Sequence, residues 1–258
     1  DLIDFIKLSK SEEKLFVIGA GSNVLFKDDL FEGTIIKLSK NFSRISLLNE
    51  NTIIAGSGAL DKSLSEFALK NSLSGFEFLS CIPGSVGGGI KMNAGCYGRE
   101  FKDIIVSVQA LDLKGKVRTI PSSEINFKYR TSNLPKDLIF LSGTFKGNLS
   151  EKEIIKKKIE EIKNKKELSQ PIRVKTSGST FKNPIEQSKK KVWELIRESV
   201  DINETNKLFG DARVSEKHCN FLINKDKASS KDMKNLINFI KENVYKKTGV
   251  NLELEIVL

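Results

Sequence analysis

The chain has 258 residues, of which 39% are hydrophobic and 29% are charged, and its formal net charge is +10. No run approaches the roughly 18 apolar residues of a membrane-spanning helix, and the opening "DLIDFIKLSK" lacks the basic-then-apolar order of a signal peptide. We therefore expect an intracellular, cytoplasmic globular protein that has no membrane partner.

The positive charge has two interpretations. A basic chain can bind a polyanion such as a nucleic acid or a phosphorylated substrate. The lysines are dispersed along the chain, however, and are not interleaved with arginine and aromatic residues. This pattern favours solvated lysine-rich faces, so no nucleic-acid partner is expected. A basic nucleic-acid-binding module is kept as the alternative of another class, and it predicts a colourless protein with salt-sensitive binding.

Five β-branched or apolar runs in the first half, bounded by turn-forming residues, predict strands. One helix is predicted at 61–73, with Asp61 as its N-cap, and a further helix is possible at 1–10. The five predicted strands cover 14–19, 34–39, 52–58, 104–115 and 138–145.

The second half changes in composition and predicts helices at 150–168, 188–200 and 230–247. Ser230 is the candidate cap of the last helix, and Gly249 ends it. Alternation over 251–258 predicts a terminal strand. We expect an α+β protein with a β-rich domain at 1–149 and an α+β domain at 150–258.

Cysteine and histidine usage excludes several kinds of site. The cysteines, Cys81, Cys96 and Cys219, are odd in number and form no C-x-x-C pair. This argues against a disulfide framework and a structural zinc site. His218 is the only histidine, which nearly excludes a histidine-based metal centre and a Ser-His-Asp hydrolase. No metal is expected.

The first glycine-rich segment is "VIGAGSNVLF" at 17–26. It begins like a dinucleotide-binding fingerprint but lacks the third glycine. The interval before the next predicted strand also leaves little room for the helix of a right-handed βαβ crossover. A Rossmann interpretation therefore fails on spacing.

The second glycine-rich segment is "IPGSVGGGIKMNAGCYG" at 82–98, in which six of the fifteen residues from Gly84 to Gly98 are glycine. It has no G-K-[ST] and is not a Walker loop. Successive small residues can turn backbone N–H groups toward one point and form an anion nest. Tight turns without a ligand are the alternative for one such loop, but two loops in one β-rich domain favour a diphosphate cofactor.

Together these segments resemble a known family. "IGAGSNVLF" and "IPGSVGGGIKMNAGCYG" are similar to the FAD-binding domain of the vanillyl-alcohol-oxidase type, and more narrowly to the UDP-N-acetylenolpyruvoylglucosamine reductase family. Further matching motifs follow in the family's order and span nearly the whole chain. They are "YRTS" at 129–132, "GSTFKNP" at 178–184, "VSEKHCNFLIN" at 214–224 and "LELEI" at 252–256.

The resemblance implies an NADPH-dependent flavoenzyme of peptidoglycan precursor synthesis. FAD N5 would deliver hydride to the enolpyruvyl group of UDP-N-acetylglucosamine enolpyruvate, giving UDP-N-acetylmuramate. The FAD would be non-covalent, because His218 lies outside the glycine loops. The implied FAD-binding residues are Gly19, Ala20, Gly21, Ser22, Asn23, Pro83, Gly84, Ser85, Val86, Gly87, Gly88, Asn93, Ala94 and Gly95.

The resemblance also implies a catalytic set. Hydride attack on an unsaturated carboxylate builds negative charge, which needs stabilisation and a proton donor at the α-carbon. By motif match, Ser179 gives the proton and Arg130 holds the carboxylate. Glu255 orients or protonates the carboxylate end. Strand alternation would put Glu253 and Glu255 on one face, so geometry leaves both open and only the motif favours Glu255.

The remaining expectations follow from the same resemblance. Asn183, Tyr129 and His218 are the implied substrate contacts. The chain looks like the shorter of two family subtypes, trimmed of a T-x-x-I-G-G-like segment that family members carry. Apart from the resemblance, the sequence leaves the oligomeric state open, and a monomer is favoured. The nearest enzyme rival is an FAD-dependent oxidase of the same fold, which would react with oxygen and ignore the UDP-linked substrate.

Overall fold

The computed structural model describes residues 1–9 and 14–258. Their backbone forms two compact units, the first made of Asp1–Ala20 and Glu32–Lys165, the second of Gly21–Phe31 and Lys166–Leu258. The expected α+β class is confirmed. The units differ from the predicted domains in two places: most of the helix after residue 150 lies in the first unit, and residues 21–31 lie in the second.

The first unit is built on a five-stranded antiparallel sheet, and short helices cover it. Its elements in chain order are α1 Leu2–Leu8, β1 Leu15–Ile18, β2 Thr34–Lys37, β3 Ile45–Asn49, β4 Thr52–Gly56, α2 Asp61–Lys70, β5 Leu73–Ser74, α3 Val86–Met92, β6 Gly95–Cys96, β7 Arg99–Glu100, β8 Ile105–Asp112, β9 Val117–Pro121, β10 Leu138–Lys146, β11 Asn148–Leu149 and α4 Lys152–Ser169.

The sheet has the strand order β3-β4-β10-β8-β9. Its core contains interlocking aromatic rings: Phe101 lies edge-on to Phe78 at 6.3 Å and to Phe145 at 5.9 Å between ring centroids. All three side chains are almost completely buried, and edge-to-face packing is the arrangement that aromatic quadrupoles prefer. This core fixes the elements on which α3 and the second glycine-rich segment rest.

The strands β1 and β2 pair in parallel, with Leu15 opposite Thr34, although no helix connects them. Parallel neighbours need a long connection. Here residues 21–31 provide it, and this segment belongs to the second unit. The first glycine-rich segment is therefore not a Rossmann crossover. It is also divided between the two units, because residues up to 20 belong to the first and residues from 21 to the second.

The second unit has a three-stranded antiparallel sheet, in the order β12-β14-β13, that packs with helices. The helix predicted at 188–200 begins only at residue 192, and Ser229 replaces Ser230 as the cap of the last helix, where it accepts from Asp232 N. The elements are β12 Lys175–Ser179, α5 Val192–Ser199, α6 Ile202–Thr205, β13 Ala212–Val214, β14 Phe221–Asn224 and α7 Ser230–Thr248.

The prediction of a terminal strand at 251–258 is wrong. Leu254 bridges Phe181, and Val257 bridges Val24, as two isolated pairs with a bend between them. Because the segment pairs with two different partners, it cannot form one ladder. The alternation argument, which placed Glu253 and Glu255 on one face, fails for the same reason.

The packing of α3 gives a stability prediction. A Cβ on Gly89 would lie 2.3 Å from the ring of Phe101, whereas one on Gly88 would meet only Ser85 Oγ at 3.6 Å. Overpacking a core typically costs about 1–3 kcal/mol. Gly89→Ala should therefore lower the free energy of unfolding by that amount in urea titrations, and the control Gly88→Ala should not. Equal losses in both variants would contradict this account of the packing.

Candidate functional site

The second glycine-rich segment lies against the turn between β4 and α2. Asp61 N donates to Gly84 O at 3.1 Å, and Val86 N donates to Ala59 O at 2.8 Å. These bonds flank the isolated bridge between Leu60 and Ser85. Two backbone segments thus run side by side, closer than most side chains permit.

Glycine makes this approach possible at two points. A Cβ on Gly84 would lie 2.6 Å from Asp61 Oδ2, and one on Gly87 would lie 2.9 Å from Ser57 Cβ. The amides of Val86 and Gly87 already donate to carbonyl groups of the turn. Those two amides therefore hold the loop in place.

Three polar side chains beneath this loop are buried without a hydrogen-bond partner among the described residues. They are the hydroxyls of Ser57 and Ser85 and both carboxylate oxygens of Asp61. Buried polar groups are normally paired, so unpaired ones that gather at one loop mark a place where a polar ligand group fits. Ser57 and Asp61 were missed as site residues, because "AGSGALD" reads as a strand end and a helix cap.

Asp61 is not the N-cap that the sequence predicts. Leu60 occupies that position, and Asp61 is the first residue of α2, fully buried. Negative charge at a helix start is ordinarily favoured by about 0.3–1 kcal/mol. Burial nevertheless raises the pKa of Asp61 to about 8, because desolvation of an unpaired carboxylate outweighs that preference. At neutral pH the carboxyl group is mostly uncharged.

The first glycine-rich segment is divided between the units. Gly19 and Ala20 belong to the first unit, where a Cβ on Gly19 would lie 2.3 Å from Ser85 Oγ. Gly21, Ser22 and Asn23 belong to the second unit.

The side chain of Asn23 has a structural role. Its Nδ2 donates to Glu255 O at 3.0 Å, and its backbone O accepts from Val257 N at 2.9 Å. Asn23 therefore fixes the carboxyl-terminal segment by both its side chain and its backbone.

The end of α3 is fixed by Asn93, which is completely buried and has a left-handed φ of 42°. Its Nδ2 donates to Glu100 Oε2 at 3.0 Å and to Lys128 O at 3.1 Å, and its Oδ1 accepts from Lys102 N. The amide is thus used inside the unit. Ala94 and Gly95 follow, and Ala94 N donates to Gly89 O.

Arg130 and Tyr129 lie together in the first unit. The guanidinium carbon of Arg130 is 4.8 Å from the centre of the Tyr129 ring, and Nη1 is 3.9 Å from Glu100 Oε1. The backbone of Arg130 is left-handed, with φ of 58°, a conformation that non-glycine residues adopt mostly where surrounding contacts enforce it. The arrangement holds the guanidinium in one orientation.

Ser179 and Glu255 lie on neighbouring segments of the second unit. Thr180 accepts a hydrogen bond from Glu255 N at 2.9 Å and donates one to Asn220 O at 2.8 Å. Asn220 is buried and exchanges two further bonds with the backbone of Phe181. Ser179 and Glu255 are thus held together, while Glu253 is 71% exposed and pairs with Lys182 at 3.4 Å.

The other implied substrate contacts have internal partners. Asn183 Oδ1 accepts from Val192 N at 3.0 Å and so satisfies the first amide of α5. His218 packs edge-on against Phe221 at 4.9 Å, and its Nδ1 accepts from Asn220 N. Burial lowers the pKa of His218, so the ring is neutral at neutral pH. Substrate contact by either residue stays a prediction.

The described part of the chain carries neither a candidate metal cluster nor a candidate membrane-spanning helix. Residues 1–9 and 14–258 contain no group of three or more His, Cys, Asp or Glu side chains that could hold a metal ion. In the same ranges, no helix is both long enough and apolar enough to cross a membrane.

Comparison with known proteins identifies relatives over almost the full chain. Residues 1–121 match the FAD binding domain model, and residues 170–258 match the model of the UDP-N-acetylenolpyruvoylglucosamine reductase C-terminal domain. The reductase of Pelagibacter ubique is 57% identical and that of Rickettsia akari 45%, each over 99% of this chain and 84% of the relative. The crystal structure of the Thermus caldophilus enzyme superposes with a TM-score of 0.80 at 32% identity, covering 95% of this chain and 85% of that one.

The buried carboxyl group of Asp61 gives a prediction for stability. The unfolded chain releases this proton near pH 4, whereas the folded chain keeps it until about pH 8. Between these values the folded state binds more protons, so rising pH lowers its stability by up to about 1.4 kcal/mol per pH unit. Asp61→Asn removes this loss. Urea unfolding of flavin-free protein should therefore show the variant gaining on the wild type from pH 5 to pH 7; a constant difference would contradict the assignment.

Proposed function

The chain belongs to the UDP-N-acetylenolpyruvoylglucosamine reductase family, whose members are FAD-dependent oxidoreductases that use NADPH, and from this premise we propose which of its residues carry out the reduction. The substrate is the enolpyruvyl group of a UDP-linked sugar. The proposal concerns the cofactor cradle, the proton donor and the carboxylate contacts. The observation that carries it is the pairing of Ser179 with Glu255 through the backbone of Thr180.

The cradle of the first unit fits an anionic diphosphate. The hydroxyls of Ser57 and Ser85 are buried donors for which the described residues offer no acceptor. Gly19 faces Ser85 without a side chain, and a Cβ there would fill the space beside that hydroxyl. We assign the FAD diphosphate to these groups. Bound FAD supplies the redox chemistry by passing the reducing equivalent of NADPH to the substrate.

We assign to Ser179 the role of donating a proton to the α-carbon of the substrate. A hydroxyl is a weak acid, but the carbanionic centre left by hydride addition is a strong base, so the transfer is feasible. The residue before it, Gly178, has φ of 83° and lies in a bulge between Thr176 and Ser179. This irregularity turns the Ser179 side chain out of the regular strand alternation, as bulges do beside active sites.

We assign to Glu255 and Arg130 the role of contacting the carboxylate group of the substrate. Glu255 is half-buried, and Thr180 and Asn23 hold its backbone on both sides. It orients or protonates the carboxylate end. Arg130, held over Tyr129, neutralises the charge that develops on the carboxylate, which is the type of stabilisation that contributes most in such reactions.

Ser179→Ala tests the proposed reaction in its two halves. Reduction of the bound flavin by NADPH should be nearly unchanged, while reoxidation by the enolpyruvyl substrate should slow by about 100- to 1000-fold, since the proton donor is missing. Anaerobic stopped-flow absorbance of the flavin measures both rates. The control Ser177→Ala, on the same strand, should keep both. Equal loss of the rates of flavin reduction and flavin reoxidation in Ser179→Ala would refute the proton-donor role. Separately, a wild-type flavin that is reoxidised by oxygen but not by the substrate would identify an oxidase instead.

The two glutamates of the terminal segment give a matched pair of variants. Glu255→Gln should lower turnover by about 100-fold, because it removes an acid-base group held at the site. Glu253→Gln should stay within about twofold of wild type, because exposed ion pairs contribute little. Steady-state NADPH oxidation with the UDP-linked substrate measures both. The reverse ranking would assign the role to Glu253.

A further inference from the structure

The carboxyl group of Asp61 lies in a position that the proposed reaction does not use. Its Oδ2 is 2.6 Å from where a Cβ on Gly84 would stand, and its backbone N donates to Gly84 O. The side chain is therefore inserted directly beneath the loop 82–88. Any residue other than glycine at position 84 would collide with it.

Within residues 1–9 and 14–258, no positively charged side chain pairs with the carboxylate of Asp61. On α2, Lys62 pairs with Glu66 at 3.7 Å on the exposed side. On the neighbouring 3-10 helix Glu77–Cys81, Glu77 accepts from Gly75 N, and on α3, Lys91 donates to Leu134 O. Residues 82–88 and 57–60 carry no ionisable side chain, and burial alone raises the pKa of Asp61.

We propose that Asp61 is a positioning residue for the cofactor loop 82–88: its buried side chain supports Gly84 and keeps the loop in the form that accepts the anionic diphosphate of FAD. This inference rests on the proposed assignment of the loop to FAD. An uncharged acid can stand beside a phosphate and can donate a hydrogen bond. A carboxylate at the same place would be unpaired and buried, and it would repel the diphosphate.

Binding of FAD should therefore depend on pH in a definite direction. Because only the uncharged form supports the loop, the observed affinity scales with the fraction of chains in which Asp61 is protonated. With a pKa of about 8, that fraction falls by about tenfold between pH 7 and pH 9.

The test is equilibrium binding of FAD to the flavin-stripped protein at pH 7, 8 and 9, followed by flavin fluorescence. Wild-type Kd should rise by about tenfold across this range. Asp61→Asn keeps the shape and cannot ionise, so its Kd should stay level. Glu66→Gln removes a negative charge from the exposed side of the same helix and should keep the wild-type rise. This matched control separates Asp61 from general charge effects.

Several results would overturn the proposal. A wild-type Kd that is constant from pH 7 to pH 9 does so without any variant, even if Asp61→Asn fails to fold. A rise in Asp61→Asn equal to that of wild type does so as well, as does tighter wild-type binding at pH 9. Wild-type protein that does not bind FAD at pH 7 removes the loop assignment itself, whereas binding without pH dependence removes only the role of Asp61.

Discussion

The first unit depends on the close approach of two backbone segments, the loop after Ile82 and the turn that joins β4 to α2. Two hydrogen bonds hold them together, Asp61 N to Gly84 O and Val86 N to Ala59 O. Glycine at positions 84 and 87 fits this approach, because a Cβ on Gly84 would meet the carboxyl group of Asp61 and one on Gly87 would meet Ser57. The approach also explains the buried polar cluster, since the loop closes over Ser57 and Asp61 and excludes water from them.

The second unit holds its carboxyl-terminal segment in place without a regular ladder of strand hydrogen bonds. Its terminal segment is fixed at separate points, by Thr180 O and by the side chain of Asn23. Both points are backbone groups of Glu255, where the chain bends, and Glu255 is half-buried while Glu253 extends to solvent. A straight strand would have treated the two glutamates alike. The irregular backbone is therefore what distinguishes them.

The sequence predicts the elements whose stability is local. The apolar stripe of α4 and the Gly249 stop of α7 appear close to their expected positions. The edge strands β3 and β9 were missed, because they are largely exposed and carry weak alternation. The membership of residues 21–31 in the second unit and the burial of Asp61 depend on contacts distant in sequence, which no local pattern reports. The motif residues were identified by resemblance, but their hydrogen-bond partners were not.

These contacts change the interpretation of the glycine run at 82–98. Two amides of the run, those of Val86 and Gly87, are bonded to the turn, and the hydroxyls of Ser57 and Ser85 are buried without a hydrogen-bond partner among the described residues. An anion bound there would meet hydroxyl donors and, nearby, the acid of Asp61. A charged Asp61 would repel an anion bound there, so such binding is favoured under the condition that the acid is uncharged. The same burial that closes the loop supplies this condition, because it raises the pKa of Asp61 above neutral pH.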